Sequence, residues 1–222
     1  MLLAVDTSSQ MMGLALYNGE KVIGEQIWES HNHHTITLAP AIIDLMSRCG
    51  ANSDQLTALA IAKGPGSFTS LRIGFSMVKA LSLSIKVPLI GVPTLDIVAA
   101  AQPICDIPLA AVLQVGRGRL ALGRYEVQDG AWVLEGDLIL TTAEEFINSQ
   151  QEKILLCGEL NTSERQMFKR KKRIFNLASP VQSVRRPSYL AEIAWTRFLN
   201  ESFDDTTSLA PIYLRVAGNI PE

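Results

Sequence analysis

Two short stretches of this 222-residue chain carry residue types able to do chemistry. The first is Asp6-Thr7-Ser8-Ser9, which follows the apolar run Leu2-Leu3-Ala4-Val5. A carboxylate beside small hydroxyls at the end of a strand can orient a metal-bound phosphate. The same residues can instead bond their own backbone, as Asx and Ser/Thr turns do. The second is Lys63-Gly64-Pro65-Gly66-Ser67-Phe68-Thr69. Its glycines let backbone amides approach a ligand, and the helix expected to follow offers partial positive charge at its N-terminus. Asp6, Thr7, Ser8, Gly64, Gly66 and Ser67 therefore form a candidate anion or nucleotide site. The turn lacks the Gly-Lys-Ser/Thr ending of a P-loop and the spacing of a dinucleotide fingerprint. Ser67 does not satisfy Gly-x-Ser-x-Gly, since Thr69 stands two residues on, so it is expected to cap the helix rather than act as a nucleophile.

Other reactive residues are weaker signals. His31, His33 and His34 cluster before the first helix and are expected to be a solvated helix entry, because neighbouring imidazoles in a loop do not complete a tetrahedral metal site. Lys169, Arg170, Lys171, Lys172 and Arg173, with Arg185 and Arg186 further on, are the one basic concentration. Five adjacent cations can engage a nucleic-acid backbone. They can also be a solvated helix end that guards the next strand against aggregation. Cys49, Cys105 and Cys157 are far apart and odd in number, which suits reduced core residues better than a disulfide framework.

These residues need elements to position them. Strands are expected at 2–5, 13–17 and 22–28, with Asn18-Gly19 as a hairpin turn. A helix with Leu38, Ala41, Ile42, Leu45, Met46 and Cys49 at helical spacing ends at Gly50. A strand at 58–62, a helix at 69–85, a strand at 88–92 and a helix capped by Thr94 follow. The second half repeats the order: strands at 109–115, 120–127 and 132–140, a helix opened by the capping box Thr142-Ala143-Glu144-Glu145, a strand at 154–157, a polar helix from 162, a strand at 173–177 and a helix begun by Pro187. The fold class is therefore α/β: two ribonuclease H/actin-like lobes, each β-β-β-α-β-α-β-α around a mixed sheet. The lobe boundary is expected in the proline-bearing stretch 99–108, giving lobes 1–102 and 103–222.

Composition narrows the class further. A hydrophobic fraction of 47% supplies a core, while a net charge of -2 gives no global attraction to nucleic acid or anionic membrane. The apolar N-terminus reads as a buried strand rather than an export signal. The longest apolar stretch, 87–101, falls short of the ~20 residues a bilayer span needs, so no membrane association is expected.

The stretch Gly64-Pro65-Gly66-Ser67-Phe68-Thr69-Ser70-Leu71-Arg72-Ile73-Gly74 closely resembles the signature GPGSFTGLRIG of the TsaB (YeaZ) family, matching ten of eleven positions. Ala4-Val5-Asp6-Thr7-Ser8, the spacing of His34, Leu38 and Pro40, Val87-Pro88-Leu89-Ile90-Gly91-Val92 and Pro211-Ile212-Tyr213-Leu214-Arg215 resemble the same family in the same order. The resemblance implies a cytoplasmic role in making threonylcarbamoyladenosine at position 37 of tRNAs that read codons beginning with A. The implied partners are a TsaD-like catalytic paralogue, a TsaE-like ATPase, tRNA through the complex, and a second copy when alone. The TsaB-like subunit is not the transferase, so no cofactor is expected. The helices beginning near Thr35 and Thr69 would form the partner face, through His34, Leu38, Ile42 and Leu45 of the first and Thr69, Leu71, Arg72, Phe75, Met77 and Val78 of the second. The second helix carries more apolar residues than one core stripe requires, which suits either a second buried face or a helix sandwiched within the lobe.

Two positions depart from the pattern. Ser70 replaces a glycine and would add a hydroxymethyl group to a close helix crossing. Gln114-Val115-Gly116-Arg117-Gly118-Arg119 stands where the family reads like DARRGEVY, and Gln114 cannot act as base or anionic ligand. Of the remaining nucleotide-site elements only Gly158 marks the adenosine-side turn. The alternative reading is an actin-like phosphotransferase or ATPase that uses Asp6. A zinc peptidase is a remote third, since paired histidines at helical spacing are missing.

Overall fold

The structure is a computed structural model that describes residues 1–30 and 33–214. His31 and Arg215 lie outside the described residues. The first unit contains β1 (Leu2–Asp6), β2 (Met11–Tyr17), β3 (Val22–Glu29), α1 (His34–Arg48), β4 (Ala58–Ala62), α2 (Phe68–Ile85), β5 (Leu89–Val92) and α3 (Thr94–Ala100). The second contains β6 (Leu109–Gln114), β7 (Leu120–Gln128), β8 (Ala131–Thr141), α4 (Ala143–Ser149), β9 (Ile154–Gly158), α5 (Thr162–Arg170), β10 (Phe175–Leu177) and α6 (Pro187–Leu199).

Both sheets have the same order, β3-β2-β1-β4-β5 and β8-β7-β6-β9-β10. In each, the hairpin strands pair antiparallel and the inner strand pairs in parallel with its neighbour across a helix. The expected duplicated α/β topology is what the chain adopts. The central strands β1, β4, β6 and β9 are almost wholly buried, as strands covered on both faces must be, and their residues are correspondingly apolar without alternation. At the first hairpin the Asn18 side chain accepts the amides of Glu20 and Lys21, and Gly19 takes φ +94°.

One face of the first sheet packs Leu3, Val5, Leu14 and Leu16 against Leu38, Ile42 and Leu45 of α1 and Phe75 and Val78 of α2. The other face is lined by Ala4, Ala15, Ala58 and Ala60, small enough for α6 to settle Leu190, Ala191 and Ala194 on it. In the second unit α4 and α5 cover one face, with Phe146, Phe168 and Phe175 in mutual edge contact at 4.8–6.0 Å. The opposite face packs on Leu95, Val98 and Ala99 of α3. The last helix of each unit thus lies on the other unit's sheet or between the two. The division expected at residue 102 falls between the sheets, but the packing does not follow it. No strand of the first sheet comes after α3, so no crossover holds that helix to it.

Two local expectations need correction. The second helix begins at Phe68 instead of Thr69, and Thr94 makes no helix-capping bond. The Thr142 capping box is present as expected, and Asn161 with Glu164 forms another.

Glu25 of β3 fixes the start of α6. It accepts from Arg186 Nε at 3.0 Å and from the Ser188 amide at 3.0 Å. Burial raises the Glu25 carboxyl, but the bonds from Arg186 and Ser188 outweigh that and leave it below its ordinary value. A depressed acid stabilises fully above its unfolded pKa, about 4.3, and the contribution disappears as pH falls through the folded value. Glu25→Gln is therefore expected to lower stability by about 1 kcal/mol at neutral pH. Urea midpoints of variant and wild type should converge as the pH is taken below about 4.

Candidate functional site

The end of β1, the segment after β9 and the residue preceding Arg186 meet between the two sheets. Asp6 Oδ1 accepts the Ser8 amide at 2.8 Å, an Asx turn, while Oδ2 accepts Arg185 Nε at 2.6 Å. Arg185 Nη1 donates to Glu159, and Nη2 donates to Ser9 Oγ at 3.1 Å and to the Met11 carbonyl at 3.2 Å. Ser9 Oγ in turn donates to Glu159 Oε1 at 2.8 Å. The side chains of Arg185 and Asp6 are 2% and 1% exposed. Burial alone would lower the Arg185 pKa, but the carboxylates of Asp6 and Glu159 reverse this and hold the guanidinium charged.

An actin-like cleft implies a metal-bound nucleotide, and the residues here do not fit one. The two carboxylates nearest the junction already share a guanidinium. At the end of β6, Gln114 Nε2 donates to Glu164 Oε2 at 2.8 Å, an amide serving a structural contact. A cavity of about 290 Å³ opens onto this network, with Glu159, Arg185 and Gln114 in its lining together with Met11, Ile27 and Val184. Among the described residues no three His, Cys, Asp or Glu side chains gather around a common metal position.

The glycine-rich turn is bonded inward. The Ser67 amide donates to the Ser8 carbonyl at 2.7 Å, and the Gly64 amide donates to Thr94 Oγ1 at 3.0 Å. The Thr94 amide returns a bond to the Gly64 carbonyl at 2.8 Å, and Thr94 Oγ1 lies 2.9 Å from Ser8 Oγ. Ser67 holds the N-cap position without a side-chain capping bond; its Oγ accepts from Ser70 Oγ at 3.0 Å instead. Ser70 is 6% exposed. The peptide Gly64-Pro65 is cis. Of the remaining candidate residues, Thr7 is fully buried and its hydroxyl has no partner among the described residues.

Seven of the ten residues expected on the partner face belong to the core. Leu38, Ile42, Leu45, Phe75 and Val78 are 0–7% exposed in the packing under α1 and α2, and Leu71 is fully buried. His34 is 1% exposed and its Nε2 donates to the Ser9 carbonyl at 2.9 Å, so it is no solvated entry either. Helical spacing marks which residues share a stripe, and the stripe these residues share faces the sheet. Thr69 and Arg72 are exposed and Met77 is half-buried. The outward face carries Ile36 at 70%, Ile43 at 69%, Phe68 at 52% and Leu83 at 65% exposure. Phe68, Ile73, Met77 and Ala80 line a groove of about 580 Å³ along it. The Arg72 guanidinium stacks 3.7 Å from the centre of the Phe68 ring and donates to the Tyr213 hydroxyl at 3.2 Å, which fixes one end of the groove.

Lys169, Arg170, Lys171, Lys172 and Arg173 are all exposed at the end of α5 and make no ion pair among the described residues. Arg185 and Arg186 do not extend this patch, since both guanidinium groups are engaged with carboxylates. Arg185 is the residue of the site that sequence reasoning missed. Its signal, an arginine beside another before a helix-opening proline, is indistinguishable from a solvated pair.

The comparisons with known proteins agree with this architecture. The family model described as TsaD, tRNA N6-adenosine threonylcarbamoyltransferase, matches residues 22–182. The TsaB biosynthesis protein of Bacillus subtilis is 29% identical over 97% of this chain and 94% of its own. That of Escherichia coli is 34% identical over 42% of this chain and 40% of its own. The solved structure of YeaZ from Pseudomonas aeruginosa superposes with a TM-score of 0.77 at 21% identity, covering 96% of this chain and 99% of that one, which shows the shared fold. With a relative aligned along nearly its whole length and the GPGSFTSLRIG turn in place, the chain belongs to the TsaB (YeaZ) family, within the wider family of the tRNA N6-adenosine threonylcarbamoyltransferases.

Proposed function

We propose that this chain is a non-catalytic, cytoplasmic partner subunit in the formation of N6-threonylcarbamoyladenosine at position 37 of tRNAs reading codons that begin with A. It binds and supports a TsaD-like catalytic paralogue together with a TsaE-like ATPase. The observation that carries the reading is the outward α1–α2 face, where Ile36, Ile43, Phe68 and Leu83 stand exposed on two adjoining helices. Large apolar side chains left exposed on neighbouring helices, beside a groove lined by Phe68, Ile73, Met77 and Ala80, favour a protein interface. The same face would join two copies when the paralogue is missing. Asp6, the base or metal ligand that a phosphotransferase reading requires, is held by Arg185 instead. The exposed run Lys169–Arg173 supplies a contact to tRNA phosphates once the complex is assembled.

Reconstitution with paralogue, ATPase, threonine, bicarbonate, ATP and tRNA tests this directly. Modification is expected only when this chain is present, and full modification in its absence overturns the proposal. Ile43→Glu is expected to weaken association with the paralogue about 30-fold while leaving the fold intact; unchanged affinity would reject the face. Replacing the five cations by serine should lower tRNA affinity of the complex and flatten its salt dependence.

A further inference from the structure

The junction between the two units is closed by a cation that belongs to the chain itself. Asp6, Ser9 and Met11 come from the first unit and Glu159 from the second, and all four are bonded to one guanidinium. We infer that Arg185 is the resident cation of this cleft: it stands in the place of a metal nucleotide, joins the two units as a fixed hinge, and conceals a cation site made by Asp6 and Glu159.

The chemistry favours permanence. A guanidinium has five N–H donors in a planar fork, and four acceptor contacts here come from three directions. Arg185 immediately precedes Arg186, whose side chain is bound to Glu25, and Pro187, which opens α6 on the first sheet. The charge is therefore tethered at high effective concentration, and a free divalent ion must compete with an intramolecular ligand. Removing the guanidinium would leave Asp6 at 1% exposure without its counter-ion, the costly case for a buried pair. The two carboxylates left behind, with Ser9 Oγ bonded to Glu159, are hard oxygen ligands suited to Mg²⁺ or Mn²⁺. The inference stands on this geometry whichever partner the α1–α2 face binds.

The test compares wild type, Arg185→Ala and the triple variant Asp6→Asn/Glu159→Gln/Arg185→Met, using thermal unfolding and calorimetry with Mn²⁺ and with Mg²⁺-ATP. Wild type is expected to bind neither ligand. Arg185→Ala should lose about 10 °C in its midpoint, regain part of it in millimolar methylguanidinium but not in equimolar NaCl, and bind Mn²⁺. The triple variant, which removes the charges together, should unfold within a few degrees of wild type, at about the few-degree scatter of a near-neutral replacement. An unchanged midpoint in Arg185→Ala, or Mg²⁺-ATP binding by wild type that Asp6→Asn abolishes, overturns the inference. If Arg185→Ala does not fold, the triple variant decides: failure to recover stability shows that the side chain acts through packing rather than charge.

Discussion

Gly66→Ala is expected to destabilise the protein by about 3 kcal/mol or more, far beyond the usual effect of adding one methyl group. A Cβ at this position would stand 2.3 Å from the Ser8 carbonyl oxygen and 3.0 Å from its carbon. Both are backbone atoms, so no rotamer change relieves the contact. The Ser67 amide donates to the same oxygen at 2.7 Å, and this bond sets the separation between the turn and the end of β1. The methyl group either breaks the bond or pushes the turn outward. Displacement would carry Phe68 and the first turn of α2 with it, and so would alter the groove that Phe68 shares with Met77. Urea unfolding measures the energetic loss, and amide exchange at Ser67 reports whether the turn has lifted. A loss below about 1 kcal/mol would mean that the turn adapts without strain. Gly158→Ala should be at least as damaging, because φ is +111° and the added Cβ would meet the Val112 carbonyl oxygen at 2.0 Å.

Gly64 and Gly66 of the signature are thus explained by close approach of one backbone to another, and Gly74 by the Thr7 side chain, whose hydroxyl would stand 2.2 Å from an added Cβ. From its spacing the same turn is a candidate anion site. The outcome depends on where the amides point, which spacing does not encode. The duplicated β-β-β-α-β-α-β-α order, by contrast, was legible because each element carries its own local signal: Asn18-Gly19 at a hairpin, Gly50 after α1, the Thr142 capping box and Pro187 at the start of α6. Such signals act over a few residues. They are silent about which sheet an apolar helix covers, so the placement of α3 and α6 across the two units could not be read. Arg185 was hidden for the same reason, since Asp6 lies 179 residues away along the chain.

Helix faces show where periodicity stops being decisive. In α1 and α2 the core stripe and the outward stripe both carry apolar residues, so composition assigns a second buried face without saying which residues form it. The core takes Leu38, Ile42 and Leu45, and the outward face keeps Ile36 and Ile43. A partner surface built of the latter is supported from beneath by the former. Mutations of the two sets should therefore differ in kind, even though the side chains are all aliphatic.

Ile42 and Ile43 make the contrast sharpest, being adjacent, identical in type and 7% and 69% exposed. Successive helical residues point about 100° apart, which is enough to put one against the sheet and the other in solvent. Ile42→Ala removes buried methyl groups from packing with the first sheet and is expected to cost about 3 kcal/mol, lowering the unfolding midpoint by roughly 6–12 °C for a chain of this size. Ile43→Ala should change stability by less than about 0.5 kcal/mol but weaken association with the paralogue, or with a second copy, by about tenfold. Chemical unfolding and sedimentation of the same two variants separate the effects. Equal loss of stability would contradict the burial of Ile42, and undiminished association of Ile43→Ala would shift the interface away from the C-terminal half of α1. The informative result is the crossed pattern, because neither global unfolding nor general loss of hydrophobicity produces it.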